Sequence, residues 1–83
     1  MQGDNIMKLE EHTEEELMEL LFQLLHSLKI SETAAMTIGT YLGMDKDNLI
    51  TMLRSMLNRY DQKGTVTEEE ALKMTIMITC QKD

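Results

Sequence analysis

The residues best suited to chemistry in this sequence are two histidines and one cysteine. His12 follows Glu10 and Glu11 and precedes Glu15 and Glu16, and side chains three or four positions apart on a helix could hold a divalent cation. Glutamates are also expected at the start of a helix, where they offset the positive end of the helix dipole. We therefore predict no metal site and no cofactor.

Nucleophilic catalysis would require a thiol or hydroxyl activated by a neighbouring base. Cys80 lies near the end of the sequence without a cationic cluster, and we predict that it is a small apolar filler. His26 shares a helical strip with Glu19 and Gln23 and has no paired nucleophile. The sequence also lacks a phosphate-binding glycine loop, a Gly-x-Ser-x-Gly turn and a His-Glu-x-x-His motif. These observations predict that the protein is not an enzyme.

Capping patterns and apolar spacing predict four short helices. Thr13 and Thr67 each precede three glutamates in the form of a capping box, so the first and fourth helices should begin there. Ser31 and Asp45 are good N-caps for the two helices between them, with spans of about 32–42 and 46–61. Gly43 is placed to end the second helix.

The domain limits and the end of the fourth helix are less clearly marked. Residues 75–80 contain several β-branched side chains and could form a strand, although we predict a helix. Residues 1–12 have weak structural signals and are expected to be a flexible or frayed segment. Residues 13–83 are expected to form a single helical domain.

The first helix is unusually apolar. Eight of the twelve residues from Leu17 to Leu28 are apolar, which is wider than the stripe of an ordinary surface helix. A chain this short buries only roughly 60% of its unfolded surface, so this helix is expected to be central or to form a subunit interface. The predicted interface residues are Leu17, Met18, Leu21, Phe22 and Leu25.

Residues 35–52 contain two short predicted helices joined by a turn at Gly43, with Gly39 inside the first of them. This pattern resembles a helix-turn-helix domain, a small trihelical fold, in which Gly39 matches the small position between the two helices and Gly43 the glycine of the turn. Gly39 also predicts that another backbone passes close to this point. The matching apolar positions are Ile38, Leu42, Met44, Leu49 and Met52.

The resemblance implies that the helix from Lys46 is a recognition helix that enters the major groove of DNA. Its possible DNA contacts would be Lys46, Asn48, Thr51, Arg54, Ser55 and Arg59. Asp45 and Asp47 would stand where phosphates approach, and the formal net charge of −7 also disfavours nucleic acid as a partner.

A glycine, an apolar residue and a glutamate follow the third predicted helix at Gly64, Val66 and Glu70. Their relative spacing resembles that of the loop glycine, the apolar bridge and the last acidic ligand of an EF-hand. Arg59 and Lys63 occupy the first and fifth ligand positions, where calcium requires oxygen. A capped helix after a glycine turn explains the same residues, so we predict no calcium binding.

Composition and length set the class of protein. The chain has 83 residues, which is enough for one domain, with no proline, three aromatic residues and nine methionines. We predict an all-α protein: a compact bundle of four short helices with a helix-turn-helix-like corner. The single cysteine suits a cytoplasmic location, and no apolar run is long enough to span a membrane.

The predicted function is a small non-enzymatic helical protein-interaction module. We expect it to self-associate through its first helix as a homodimer, and to bind another protein through Leu-rich and Met-rich faces. No membrane partner is expected. The alternative function is a DNA-binding transcriptional regulator of the helix-turn-helix type.

Overall fold

The computed structural model describes residues 9–80 and confirms the all-α fold class. One turn of 3₁₀ helix, Leu9–Glu11, precedes four α-helices. These helices are α1 (Glu14–Ser27), α2 (Glu32–Leu42), α3 (Lys46–Lys63) and α4 (Glu68–Cys80). The described residues contain no strand, and residues 75–80 form the last part of α4.

Both predicted capping boxes are present. The Thr13 hydroxyl accepts a hydrogen bond from the Glu16 amide at 3.1 Å, and the Glu16 carboxylate accepts one from the Thr13 amide at 3.0 Å. Thr67 and Glu70 make the same reciprocal pair, with both distances 3.1 Å. Each box satisfies two amides that have no partner inside the helix.

The inner helices also begin at their predicted caps. The Ser31 hydroxyl accepts from the Ala34 amide, and the Asp45 carboxylate accepts from the Asp47 amide at 2.9 Å. Helix α3 continues to Lys63, two residues beyond the predicted end near Asp61. Gly64 ends it in the left-handed conformation, with a φ of 82° that a residue with a Cβ adopts only with strain.

The four helices enclose one hydrophobic core. Helix α2 packs on α4 and α1, and α3 packs on α1 and α4. The fully buried apolar side chains come from every helix and from the turn before α4. They include Leu17, Leu21, Leu25, Ile38, Leu42, Leu49, Met52, Met56 and Val66.

The segment that was predicted to be flexible or frayed, residues 1–12, contains the 3₁₀ turn Leu9–Glu11. Leu9 is buried in the core, and its 3₁₀ turn packs against α3. The Leu9 carbonyl accepts a hydrogen bond from the His12 amide at 3.1 Å. The rest of that segment, residues 1–8, and residues 81–83 of the predicted domain lie outside the described part of the chain.

The prediction that Leu17, Leu21 and Leu25 form an intermolecular interface is wrong. The three side chains have no exposed surface, because α1 lies against both α2 and α3 and this row of leucines fills the core. The core of a single chain therefore covers the central row of α1. Two large apolar side chains of the helix remain more than a third exposed, namely Leu20 and Phe22.

Two further side chains are exposed. Tyr41 lies three residues after the buried Ile38 in helix α2, but it is at the edge of the buried face and is 58% exposed. Cys80 was expected to be an apolar filler and is instead exposed at the last residue of α4.

Candidate functional site

The cations of the possible DNA-binding helix lie on two different sides of α3. Arg54 donates a hydrogen bond to the Glu10 carboxylate at 2.6 Å, in the 3₁₀ turn. The pKa of Glu10 lies below its usual value because a backbone amide donates to the carboxylate, because Arg54 donates to it, and because the charges of Arg54 and Lys46 favour the ionised form. Arg59 is five residues beyond Arg54, which places it about 140° further round the helix.

On its own side of α3, Arg59 meets α4. Lys63 Nζ lies 2.7 Å from a carboxylate oxygen of Glu70, and Arg59 lies 3.5 Å from the same oxygen. The pKa of Glu70 is lowered to about 2, first by the hydrogen bond from Lys63 and then by the amide of Thr67, with the charge of Arg59 contributing less. Arg59 and Lys63 therefore share one carboxylate of α4, which offsets one of their two positive charges, and they do not form a continuous basic face with Arg54.

Three residues of the EF-hand-like pattern take part in these ion pairs. Glu70, at the position of the last calcium ligand, is held by the two cations that replace early oxygen ligands. Residues 59–63 belong to helix α3 rather than to an open loop. Within residues 9–80, no group of three or more histidine, cysteine, aspartate or glutamate side chains could hold a metal ion.

Asn48 is not available as a DNA contact, so that prediction is wrong. Its side chain is buried and donates to the Leu42 carbonyl at 3.3 Å, which fixes the corner between α2 and α3.

Three other residues predicted as DNA contacts, Thr51, Ser55 and Arg59, line a cleft of about 310 Å³ between α3 and α4. The rest of this α3–α4 cleft is lined by Asn58, Gln62, Met74, Met77 and Ile78.

A more apolar cleft of about 380 Å³ lies between α1 and α2. Phe22 and His26, one turn apart, form the α1 wall, and Ala35 and Met36 form the α2 wall. Ile30 closes the end near the connection between the helices. The lining of this α1–α2 cleft is Phe22, His26, Ile30, Glu32, Ala35 and Met36.

Gly39 explains how the Phe22 ring reaches this position. A Cβ added at Gly39 would lie 3.0 Å from Phe22 Cζ and 3.2 Å from Phe22 Cε1, with the Met18 sulfur at 3.7 Å. The residue that passes close to Gly39 is therefore an aromatic side chain, rather than the backbone that the sequence suggested. A glycine inside a helix costs about 1 kcal/mol relative to alanine, and here it makes room for the ring that lines the cleft.

The apolar surface continues beyond the cleft along α2. Phe22 is 39% exposed and Met36 is 66% exposed. Met36 also lines a shallow neighbouring depression that ends at Tyr41 and includes Thr33, Thr37 and Thr40. Of the predicted interface residues, Phe22 lies in the α1–α2 cleft, and the half-buried Met18 lies beside it over Gly39. Met36 and Tyr41 were not predicted, because the sequence alone does not show which edge of α2 stays uncovered.

Negative charge predominates on the two helices that form the α1–α2 cleft. Residues 14–42 carry five glutamates and one lysine. Glu15 and Glu19 share the Phe22 and His26 side of α1 by their spacing, and Glu32 lines the cleft itself. No ion pair within residues 9–80 involves these three glutamates. The lysine, Lys29, lies in the turn between the helices and lines an adjoining pocket together with His26, Ile30 and Glu32.

Comparison with known protein families, with curated proteins and with solved structures finds no match to this chain. The resemblance to helix-turn-helix domains therefore stays a prediction from residues 35–52. No helix in the described part of the chain combines the length and the apolar character needed to cross a lipid bilayer.

Proposed function

We propose that this protein is a small non-enzymatic interaction module that docks another protein in the α1–α2 cleft. The observation that carries this proposal is the exposed apolar surface formed by Phe22, Met36 and Tyr41. None of these three side chains belongs to the hydrophobic core, so the folded chain leaves them available to a partner. Contiguous exposed apolar surface with a polar rim is typical of sites that bind proteins.

The shape of the cleft favours a macromolecular partner over a small molecule. It is open along the seam of two helices and continues into the depression that ends at Tyr41. Methionine is flexible and polarisable, so Met36 can adjust to an apolar side chain of a partner. A helix that inserts apolar anchors into such a groove is a common mode of recognition.

The lining argues for binding rather than catalysis. Its polar side chains are one imidazole and one carboxylate, His26 and Glu32, and the six lining residues include no thiol or hydroxyl. A covalent mechanism would need such a nucleophile beside its base. A cytoplasmic location forms part of the proposal, since a single cysteine suits a reducing compartment.

Self-association as a homodimer stays a prediction, with a narrower basis than the sequence suggested. Leu17, Leu21 and Leu25 are used by the core, which leaves Met18 and Phe22 as its predicted contacts. The DNA-binding alternative has less support still, because Arg54, Arg59 and Lys63 are paired with glutamates of the same chain.

A selection from a displayed library of helical peptides tests the proposal. We expect ligands that bind the wild-type protein and lose binding to the Phe22→Ala and Met36→Glu variants. Met77→Glu is the matched control, because Met77 is 61% exposed and lies in the α3–α4 cleft. Failure to select any ligand, or ligands that bind the Met36→Glu variant as well as the wild type, would contradict the proposal.

A further inference from the structure

We infer that the occupant of the α1–α2 cleft is a basic amphipathic helix of another protein, held by apolar anchors against Phe22 and Met36 and by cations opposite the surrounding glutamates. This inference rests on the proposed function and specifies the chemistry of the partner. Its first support is the apolar lining of the cleft, and its second is the distribution of charge around it.

The length of the apolar surface suits a short helix. From Glu32, at one end of the cleft, to Tyr41, at the far end of the neighbouring depression, α2 rises about 14 Å at 1.5 Å per residue. A partner helix with apolar residues at i, i+3 or i+4, and i+7 spans about 10 Å on one face. Two or three such anchors would therefore reach from the Phe22 ring past Met36.

The charges near the cleft indicate which residues should flank the apolar anchors of that helix. Glu15 and Glu19 lie on the α1 side and Glu32 lies at the end of the cleft where α2 begins, so a helix lying in the cleft would meet carboxylates on one edge and at one end. Helix α2 itself contains no lysine or arginine. Lysine or arginine residues that flank the anchors would meet these carboxylates, and complementary charge contributes to specificity and to the rate of association.

The same charges disfavour two other occupants. A second copy of this chain docked through the same α1–α2 face would place its own glutamates against this set, and like charges oppose such contact. The negative surface of an anionic membrane would be repelled for the same reason. A basic helix is the partner whose charge and apolar face both match the cleft.

The test uses two synthetic peptides of about 18 residues with leucine anchors at the spacing of one helical face. One carries lysine at every flanking position and the other carries glutamate there. Fluorescence polarisation with the full chain is expected to show that the lysine peptide binds at least about tenfold more tightly, and that added salt weakens its binding. Met36→Glu should abolish this binding, and Met77→Glu should leave it unchanged.

A double variant, Glu19→Gln with Glu32→Gln, tests the charge directly. Both side chains are exposed, so the substitutions should not disturb the fold, which circular dichroism can verify. We expect the preference for the lysine peptide to decrease. Equal binding of both peptides to the wild type would overturn the charge assignment while leaving the cleft as a docking site.

The remaining outcomes decide against the inference. Binding of neither peptide would overturn it, whereas the library selection separately decides whether the cleft docks any helix at all. Sedimentation showing a dimer that Met36→Glu dissociates would assign the cleft to a second copy instead.

Discussion

Gly39 and Phe22 set the shape of the α1–α2 cleft at the scale of single residues. The ring lies close over the glycine, and at 39% exposure it still has room to move outward. The sequence indicated that something approaches Gly39, because glycine is unfavourable inside a helix. The sequence did not show what approaches, because the contact joins α1 and α2 across seventeen residues.

Gly39→Ala is expected to separate stability from binding. Alanine improves helix propensity by about 1 kcal/mol, but the new Cβ must displace the Phe22 ring by a few tenths of an ångström. We expect the free energy of unfolding in urea to change by less than about 1 kcal/mol, while affinity for the lysine peptide decreases because the cleft wall has moved. In a Phe22→Ala background the same substitution should raise the free energy of unfolding by the full gain in helix propensity, about 1 kcal/mol. An equal stability change in both backgrounds would contradict the close contact.

Glu70 is expected to make stability depend on pH. Its pKa is lowered from 4.5 to about 2 in the folded chain, so its ionised form stabilises the fold above about pH 4.5, and this contribution is lost as the pH falls towards 2. Glu70→Gln can still accept the hydrogen bond from the Thr67 amide but loses attraction to Lys63 and Arg59. Urea denaturation should show the variant less stable than the wild type at neutral pH, with the difference disappearing near pH 2.

Glu69→Gln is the control for this experiment, because Glu69 is highly exposed and its distance from Lys73 is 3.7 Å. Exposed ion pairs of this kind contribute little, so the stability of this variant should stay close to that of the wild type. A constant difference between wild type and Glu70→Gln at every pH would contradict the account of Glu70.

At the scale of elements, the helix starts could be predicted because their signals are local. A threonine and the glutamate three residues later satisfy each other's amides at Thr13 and at Thr67, whatever the rest of the chain does. The burial of helix edges could not be predicted in this way. Tyr41 has the spacing of a core residue, but whether its edge of α2 is covered depends on where α4 lies.

Thr67→Ala is expected to weaken the start of α4. Loss of the capping hydroxyl should lower the free energy of unfolding by about 1 kcal/mol, measured by urea denaturation. Thr65→Ala makes the same chemical change two residues earlier, at an exposed position outside the capping box. Equal losses from the two substitutions would show that the capping box is not the cause.

At the scale of the whole molecule, the row formed by Leu17, Leu21 and Leu25 shows that one chain completes the core. The apolar breadth of α1 suggested that a partner was needed, but α2 and α3 cover its central row. The pairing of charged side chains also depends on the whole fold. Arg54 pairs with Glu10, 44 residues away in sequence, so no local pattern could show that this cation is neutralised.

Leu21→Ala is expected to cost about 2–5 kcal/mol of stability, because it leaves a cavity in the core. Leu20→Ala is the matched control on the same helix, since Leu20 is 37% exposed and its loss should be clearly smaller. Urea denaturation measures both losses. A loss from Leu20→Ala as large as the loss from Leu21→Ala would contradict the placement of Leu21 in the core.

The most direct test of the central claim is an NMR titration of the isotope-labelled full chain with the lysine peptide. Docking in the α1–α2 cleft predicts that the backbone amides of Phe22, His26 and Met36 shift most, with little change at Thr51, Ser55 and Met77 across the molecule. Shifts concentrated in the α3–α4 cleft, or no shifts at saturating peptide, would contradict the account.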